Sequence, residues 1–284
     1  HGGYGEVYRV IDTTTAQIHA MKLERYRPYK CGLNNEIEIL QNIKGDSFIH
    51  LIKSGFYDDS LHYMIMNVYL PSIHDIWDAH HGRFDITAAF HTSLKMLSCI
   101  SQLHSLGIIH LDIKAANFLM NYDQQSPLVL IDFGKSQLIS WPKKSIHLVG
   151  TKRYASIRNH KHEPLGPSDD LISWFFVSLE MIYPQGLPWK HLDDYEPILQ
   201  SKQNWSQKLI KHSKYFMKMY EYLKCLEMDD LPNYNYVEYL LKKEMNRRSI
   251  AMEFDWLYFI KTETEIIKNH QNHKKSKNGN CSIC

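Results

Sequence analysis

The chain has 284 residues, of which 44% are hydrophobic, and this composition excludes a disordered or fibrous protein. Lysine and arginine number 33 against 31 aspartates and glutamates, so the formal net charge of +2 gives no electrostatic basis for binding nucleic acid, and we expect none. The five cysteines are odd in number and mostly far apart, which favours reduced thiols and a cytoplasmic protein, with a nuclear location left open.

The first quarter of the chain predicts a small β-sheet with one helix. Apolar and β-branched residues between turn residues predict four strands, over 7–11, 18–23, 51–57 and 61–68. A helix over 34–43 is predicted after Gly32, because apolar residues there are spaced among charged and polar ones.

From Pro71 onward the pattern becomes helical. Asp85 is suited to cap a helix in which apolar residues recur every three or four positions. The stretch 171–182 is apolar on every side, which is typical of a helix buried in a large lobe, and it is too short for the roughly 20 residues of a membrane span. Further helices are predicted over 205–226, 236–248 and 252–267.

The last residues, 268–284, are polar and basic with few groups to bury, so we expect a flexible, disordered tail. The final four residues, 281–284, have the C-a-a-X form of a prenylation signal, with lysines upstream. A lipid on Cys281 together with basic residues would give peripheral membrane association. A solvated tail and a lipid anchor both stay open.

Two short segments carry the residues that phosphoryl transfer requires. In the segment 110–117, Asp112 can orient and deprotonate a hydroxyl, Lys114 can neutralise a moving phosphoryl group, and the side-chain oxygen of Asn117 can hold a metal ion. After the apolar strand 128–131 comes Asp132-Phe133-Gly134, in which the Asp132 carboxylate could bind magnesium. We therefore predict Asp112 and Lys114 as catalytic, and Asn117 and Asp132 as metal ligands.

In order and spacing, these segments resemble the eukaryotic protein kinase family, whose catalytic loop reads H-R-D-x-K-x-x-N and whose metal motif reads D-F-G. The resemblance implies an α+β bilobal fold, with a small antiparallel-sheet lobe over 1–66, its first strand missing, and a large, mostly helical lobe over 67–267. It implies an enzyme that uses ATP and Mg²⁺ to phosphorylate serine or threonine of protein substrates. We expect a monomer.

The resemblance extends to the nucleotide-binding residues. The opening residues 1–7 match G-x-G-x-x-G-x-V if the first glycine lay just before His1, and we expect native residues upstream. The segment 19–22 matches V-A-I-K, which implies that Lys22 binds the nucleotide phosphates with Glu36 as its ion-pair partner. The implied nucleotide-binding residues are Gly2, Gly3, Gly5, Val7, Ala20, Lys22, Glu36, Met66 at the gatekeeper position, and Asn67 and Tyr69 at the hinge.

The segment 150–157, Gly-Thr-Lys-Arg-Tyr-Ala-Ser-Ile, replaces the usual A-P-E region and looks like the casein kinase 1 group and its tau-tubulin kinase relatives. That resemblance implies acidic or already phosphorylated substrates, with Arg153 as an anion-binding residue. An arginine fork suits phosphate geometry, yet Arg153 could equally pair with an acidic residue of its own lobe.

Two departures from the family pattern motivate an alternative. Leu111 replaces the arginine that pairs with a phosphorylated activation loop in many kinases, which favours constitutive activity. The glycine loop is incomplete at His1. Both features are also compatible with a catalytically silent kinase-fold scaffold that binds partners.

Overall fold

The structure is a computed structural model that describes residues 6–25, 32–58, 60–140, 147–183, 185–205 and 210–278, with side chains up to residue 272. Within these ranges an antiparallel sheet occupies the N-terminal part, and helices make up most of the larger C-terminal part. The predicted α+β fold, with a sheet lobe and a larger helical lobe, is confirmed. The change from one to the other falls after Met66, where the sheet ends.

Four strands form the N-terminal sheet in the order β1-β2-β4-β3, and each strand is antiparallel to its neighbours. They are β1 (Glu6–Ile11), β2 (Ile18–Arg25), β3 (Leu51–Asp58) and β4 (Leu61–Met66). The predicted strands match these bounds closely. Lys22 on β2 lies opposite Val7 on β1 and Met64 on β4, and residues paired in this way project to the same face of a sheet.

One helix, α1 (Gly32–Asn42), packs against this sheet. Its buried apolar residues are Leu33, Ile37, Ile39 and Leu40. The Nδ2 atom of Asn35 donates hydrogen bonds to the carbonyl oxygens of Phe133 (3.0 Å) and Ser136 (2.8 Å). These bonds tie α1 to the segment that follows the predicted metal motif, so the helix joins the two lobes.

Helices dominate the second lobe. They are α2 (Ile73–Ala79), α3 (Ile86–Ser105), α4 (Ile157–His160), α5 (Pro167–Ile182), α6 (Tyr195–Gln203), α7 (Lys214–Cys225), α8 (Tyr234–Arg247) and α9 (Trp256–Asn278). Short strands pair among them: β5 (Ile108–Ile109) with β8 (Gln137–Leu138), and β6 (Phe118–Met120) with β7 (Leu128–Leu130). Across the described ranges, no helix combines the length and apolar character that crossing a bilayer requires.

Helix α5 lies at the centre of the second lobe. Trp174, at 0% exposure, donates from its indole nitrogen to the carbonyl oxygen of Ser93 on α3, at 2.9 Å. The predicted buried helix is therefore found, and it packs on the predicted capped one. The side chain of Asp85 accepts a hydrogen bond from the amide of Ala88 (2.8 Å) and so caps α3.

The predicted helix over 205–226 is wrong at residues 205 and 210–213, which are not helical, while residues 206–209 lie outside the described ones. Helix α6 ends at Gln203, and α7 begins only at Lys214. Ser213 explains the late start, because its hydroxyl accepts from the amide of Phe216 (3.1 Å) as an N-cap and donates to the Glu244 carboxylate (2.7 Å) on α8. A cap anchored to another helix is a tertiary contact, which apolar spacing does not reveal.

The prediction of a disordered tail is wrong for residues 268–278, because α9 continues through Asn278. Ile267 is 2% exposed, so the helix is still packed on the lobe where the tail was predicted to begin. Polar contacts to α2 and the residues after it add to this packing: His80 Nε2 lies 2.7 Å from Glu263 Oε2, and His270 Nε2 lies 3.7 Å from Asp78 Oδ2. The last residues of the predicted tail, 279–284, lie outside the described ones.

Candidate active site

A pair of short strands brings the two predicted chemical segments together. The first segment lies between β5 and β6, and the second follows β7, which pairs antiparallel with β6. The amide of Ile131 donates to the carbonyl oxygen of Asn117 at 3.0 Å, so the backbone beside Asp132 is bonded to the backbone of the first segment. Asn117 Nδ2 in turn donates to the carbonyl oxygen of Asp112 at 2.9 Å. Asp112, Asn117 and Asp132 therefore belong to one site.

Lys22 connects the sheet lobe to this site. Its Nζ lies 2.6 Å from Glu36 Oε2 on α1 and 3.1 Å from Asp132 Oδ1. Burial alone would lower the pKa of Lys22, but the neighbouring Glu36 and Asp132 carboxylates raise it above its usual value. Lys22 is therefore a fixed positive charge at the junction of the two lobes.

The Asp112 carboxylate is fully engaged. Both Lys114 Nζ and Lys135 Nζ lie 2.9 Å from its Oδ2, and the hydroxyl of Thr151 donates to its Oδ1 at 2.7 Å. Burial would raise the pKa of Asp112, but the two ammonium groups and this hydrogen bond lower it to about 2. Asp112 is thus ionised and oriented. The sequence did not identify Lys135 or Thr151 as members of the site.

Asn117 and Asp132 offer oxygen ligands of the kind that Mg²⁺ prefers. The Asn117 side chain is oriented by its Nδ2 bond to Asp112, so its amide oxygen is the atom available for a cation. Asp132 has φ 68° and ψ 64°, a left-handed conformation that aspartate tolerates better than most residues. One carboxylate and one amide fit an ion that takes its other ligands from phosphates and water.

Asp170, near the start of α5, fixes the backbone of the catalytic segment. Its carboxylate accepts from the amides of His110 (2.6 Å) and Leu111 (2.8 Å) and contacts His104 Nε2 at 2.9 Å. Burial would raise the pKa of Asp170, but the His104 hydrogen bond and the other donors hold it below its usual value. Leu111 has φ 65°, a costly conformation for leucine, which these bonds stabilise.

The sequence did not identify Asp170 as a residue of the site. A signal was present, because two acids, Asp169 and Asp170, open a helix in which most of the following residues are apolar. Such acids have to be paired or hydrogen-bonded if the helix is buried.

The other predicted nucleotide residues that the structure describes lie on the strands of the sheet or directly after them. Ala20 on β2 pairs with Met66 on β4, and Met66 is 7% exposed. Val7 on β1 is the strand partner of Lys22 and is 61% exposed. Asn67 and Tyr69 follow β4, and the Tyr69 hydroxyl accepts from the amide of His50 at 3.4 Å. The predicted glycines, Gly2, Gly3 and Gly5, and the predicted lipidation site, Cys281, lie outside the described residues.

Arg153 pairs with an acidic residue of its own lobe, which the sequence analysis gave as the alternative to binding an anion. Its guanidinium lies 3.3 Å from Glu180 Oε1 and donates to the carbonyl oxygen of Lys190 at 2.7 Å. Glu180 also accepts from the hydroxyl of Tyr154 at 2.8 Å. Since 42% of the Arg153 side chain stays exposed, the anion-binding role stays a prediction.

Comparison with known proteins agrees with this geometry. Residues 1–256 match the family described as Protein kinase domain. The chain is 28% identical over 270 residues to a Dictyostelium discoideum protein named as a probable serine/threonine-protein kinase. That alignment covers 90% of this chain and 54% of the relative, so the chain spans about half the length of the relative it matches.

Proposed function

Since the chain belongs to the protein kinase domain family, we propose that it is a protein serine/threonine kinase that transfers the γ-phosphoryl group of ATP to hydroxyls of other proteins. The observation that carries this proposal is the meeting of Lys22, Asp132 and the catalytic segment at the junction of the lobes, with Lys22 Nζ 3.1 Å from Asp132 Oδ1. Members of this family use ATP with Mg²⁺.

The polar side chains of the site have distinct roles in the proposed transfer. Lys22 holds phosphate oxygens of ATP, and Asp132 and Asn117 would hold Mg²⁺, which supplies charge neutralisation on the phosphates when bound. Lys114 leaves Asp112 for the transferring phosphoryl group, and Oδ2, which keeps its contact with Lys135, can then accept the hydrogen bond of the incoming hydroxyl in place of Lys114.

The bond changes balance without another reactant. The acceptor oxygen forms a bond to the γ-phosphorus while the bond from that phosphorus to the β-γ bridging oxygen breaks, so ADP leaves. The hydroxyl proton passes to Asp112, which is ionised beforehand because Lys135 and Lys114 lower its pKa.

We further propose that the chain belongs to the casein kinase 1 group. The support is the segment that begins at Gly150 and lies against the catalytic segment. Gly150 has φ 86°, and a β-carbon there would lie 2.3 Å from the carbonyl oxygen of Leu111. Only glycine fits such a close approach. The proposal includes acidic or phosphorylated substrates, which the exposed portion of the Arg153 side chain would bind. The ion pair between Arg153 and Glu180 is an argument against this substrate preference.

The alternative is a catalytically silent scaffold with the same fold. Leu111 motivates it, because the usual activating arginine is missing. Against it, Lys22 already pairs with both Glu36 and Asp132. The backbone of Leu111 is also held by Asp170, a contact that requires no phosphorylated residue. These contacts favour an enzyme with a preassembled site.

A phosphorylation assay tests the proposal. The protein is incubated with Mg²⁺, ATP and casein, beside an Asp132→Asn variant. We expect phosphate on serine or threonine of casein, reduced at least about 100-fold in the variant, because the proposed metal ligand loses its charge. Incorporation by neither protein would favour the scaffold, and equal incorporation by both would contradict the role of Asp132.

A further inference from the structure

Lys202, near the end of α6, is a lysine buried in the second lobe. It is 2% exposed, and its Nζ lies 5.5 Å from the ring centre of Trp189 and 5.6 Å from that of Phe176. The aromatic faces provide some stabilisation for an ammonium group. Burial of a lysine is costly, so this position requires a compensating role.

The contacts of the Lys202 amine converge on one loop. Its Nζ donates to the carbonyl oxygens of Lys152 (2.7 Å) and Ala155 (2.6 Å) and lies 3.1 Å from His160 Nε2. Among the ion pairs of the described residues, none joins Lys202 to an aspartate or glutamate, in contrast to Lys22. The partners of the amine are therefore backbone carbonyls and an imidazole.

These contacts suit both protonation states of the amine. Burial lowers the pKa of Lys202 to about 6, and burial with the neighbouring Lys202 lowers the pKa of His160 to about 4. A neutral amine keeps two N–H groups for the two carbonyls and can accept from a neutral imidazole, whereas an ammonium group donates to all three. The loop is therefore held in either state.

The loop that Lys202 holds follows a residue that contacts Asp112, the proposed catalytic base. Thr151 contacts the Asp112 carboxylate directly, at 2.7 Å, one residue before Lys152. Arg153 and Tyr154, which lie between the two bonded carbonyls, line a cavity of about 330 Å³ together with Trp77 and other residues. The segment that Lys202 holds therefore follows directly on a contact to Asp112 and borders a cavity.

We propose that Lys202 is a positioning residue for protein-substrate binding: its amine fixes the carbonyl oxygens of Lys152 and Ala155 and thereby the Arg153–Tyr154 segment beside Asp112. The inference rests on the proposed kinase function and adds to it the residue that shapes the substrate-binding loop. It assigns Lys202 no contact with ATP, because the amine bonds neither Lys22 nor Asp132.

The test compares Lys202→Met with the wild-type protein and with Lys211→Met, which removes an exposed lysine from the same region. Methionine keeps an unbranched apolar side chain but has no donor. We expect the KM for casein to rise roughly tenfold in Lys202→Met, as the loss of hydrogen bonds from an amine implies, with the KM for ATP unchanged. Lys211→Met should behave as wild type.

Hydrogen exchange read by mass spectrometry supplies a measure that does not require activity. The amides of Tyr154 and Ala155 both donate to the carbonyl oxygen of Thr151 at 3.0 Å. In Lys202→Met these amides should exchange faster, while those of α3 and α5 keep their protection. If the wild-type protein had no kinase activity, the proposed function would be wrong, but the change in hydrogen exchange at Tyr154 and Ala155 could still be measured.

A second variant covers the case in which Lys202→Met does not fold. Lys202→Gln keeps two N–H donors without a charge, so it should give a smaller rise in casein KM than methionine does. Two results would overturn the proposal: unchanged casein KM and loop exchange in both variants, or faster exchange throughout the second lobe in both, which would make Lys202 a residue of general stability.

Discussion

Replacing Asp112 by asparagine is expected to lower kcat for protein phosphorylation by about 10²–10⁴-fold, the usual contribution of a general base. Asparagine keeps the shape of the side chain but cannot take the hydroxyl proton. Lys114 and Lys135 lose their shared counter-ion, yet their side chains are 26% and 16% exposed, so water can solvate them and the fold should persist. The KM for ATP should change little, because Lys22 and Asp132 are unaltered.

Steady-state kinetics with casein measures this effect. Asp123→Asn is the matched control, because Asp123 is exposed and accepts a local hydrogen bond from the amide of Gln125 at 2.9 Å. A kcat of Asp112→Asn within a few-fold of wild type would show that Asp112 is not the base.

The second large effect concerns stability. Asp170→Ala should lower the free energy of unfolding by about 3–5 kcal/mol, as expected when one partner of a buried charged network is removed. The amides of His110 and Leu111 would lose their acceptor, and His104 would lose its carboxylate partner. Leu111 would then keep its left-handed backbone without the bonds that stabilise it.

Urea unfolding of the wild type, Asp170→Ala and the exposed-site control Asp229→Ala checks this value. The pKa of Asp170 is lower in the folded state than its usual value, so its stabilisation is complete above the unfolded pKa of about 4 and is lost as the pH falls through the folded pKa. The difference between wild type and Asp170→Ala should therefore shrink in acid. A difference below about 1 kcal/mol at pH 7 would show that the network contributes little.

Much of the site was predictable because its chemistry dictates side-chain types at fixed spacings. Asp112, Lys114, Asn117 and Asp132 stand in two short segments, and a strand pair has only to bring those segments together. Lys22 and Glu36 were also paired from the sequence, and they lie 2.6 Å apart. The sheet was predictable for a similar reason, since alternating residues between turn residues define strands locally.

The contacts that hold the site in place were not predictable in this way. Asp170 reaches the amide of His110 across 60 positions of sequence, and Lys202 reaches the carbonyl of Lys152 across 50. The local sequence identifies neither partner: the two acids that open α5 indicate that an acid there has to be bonded, but not to which backbone, and a lysine on a helix is usually solvated. The prediction of a disordered tail was wrong for the same reason, because the polar residues of the tail do not indicate that His270 lies near Asp78.

Calorimetric titration of ATP, with and without Mg²⁺, tests most directly whether Lys22, Asn117 and Asp132 form one metal and nucleotide site. We predict that Mg²⁺ tightens ATP binding by the wild type at least tenfold, about 1.4 kcal/mol, and that Asp132→Asn loses this gain while Asp123→Asn keeps it. Equal affinities with and without Mg²⁺ in the wild type, or a full Mg²⁺ effect in Asp132→Asn, would contradict it.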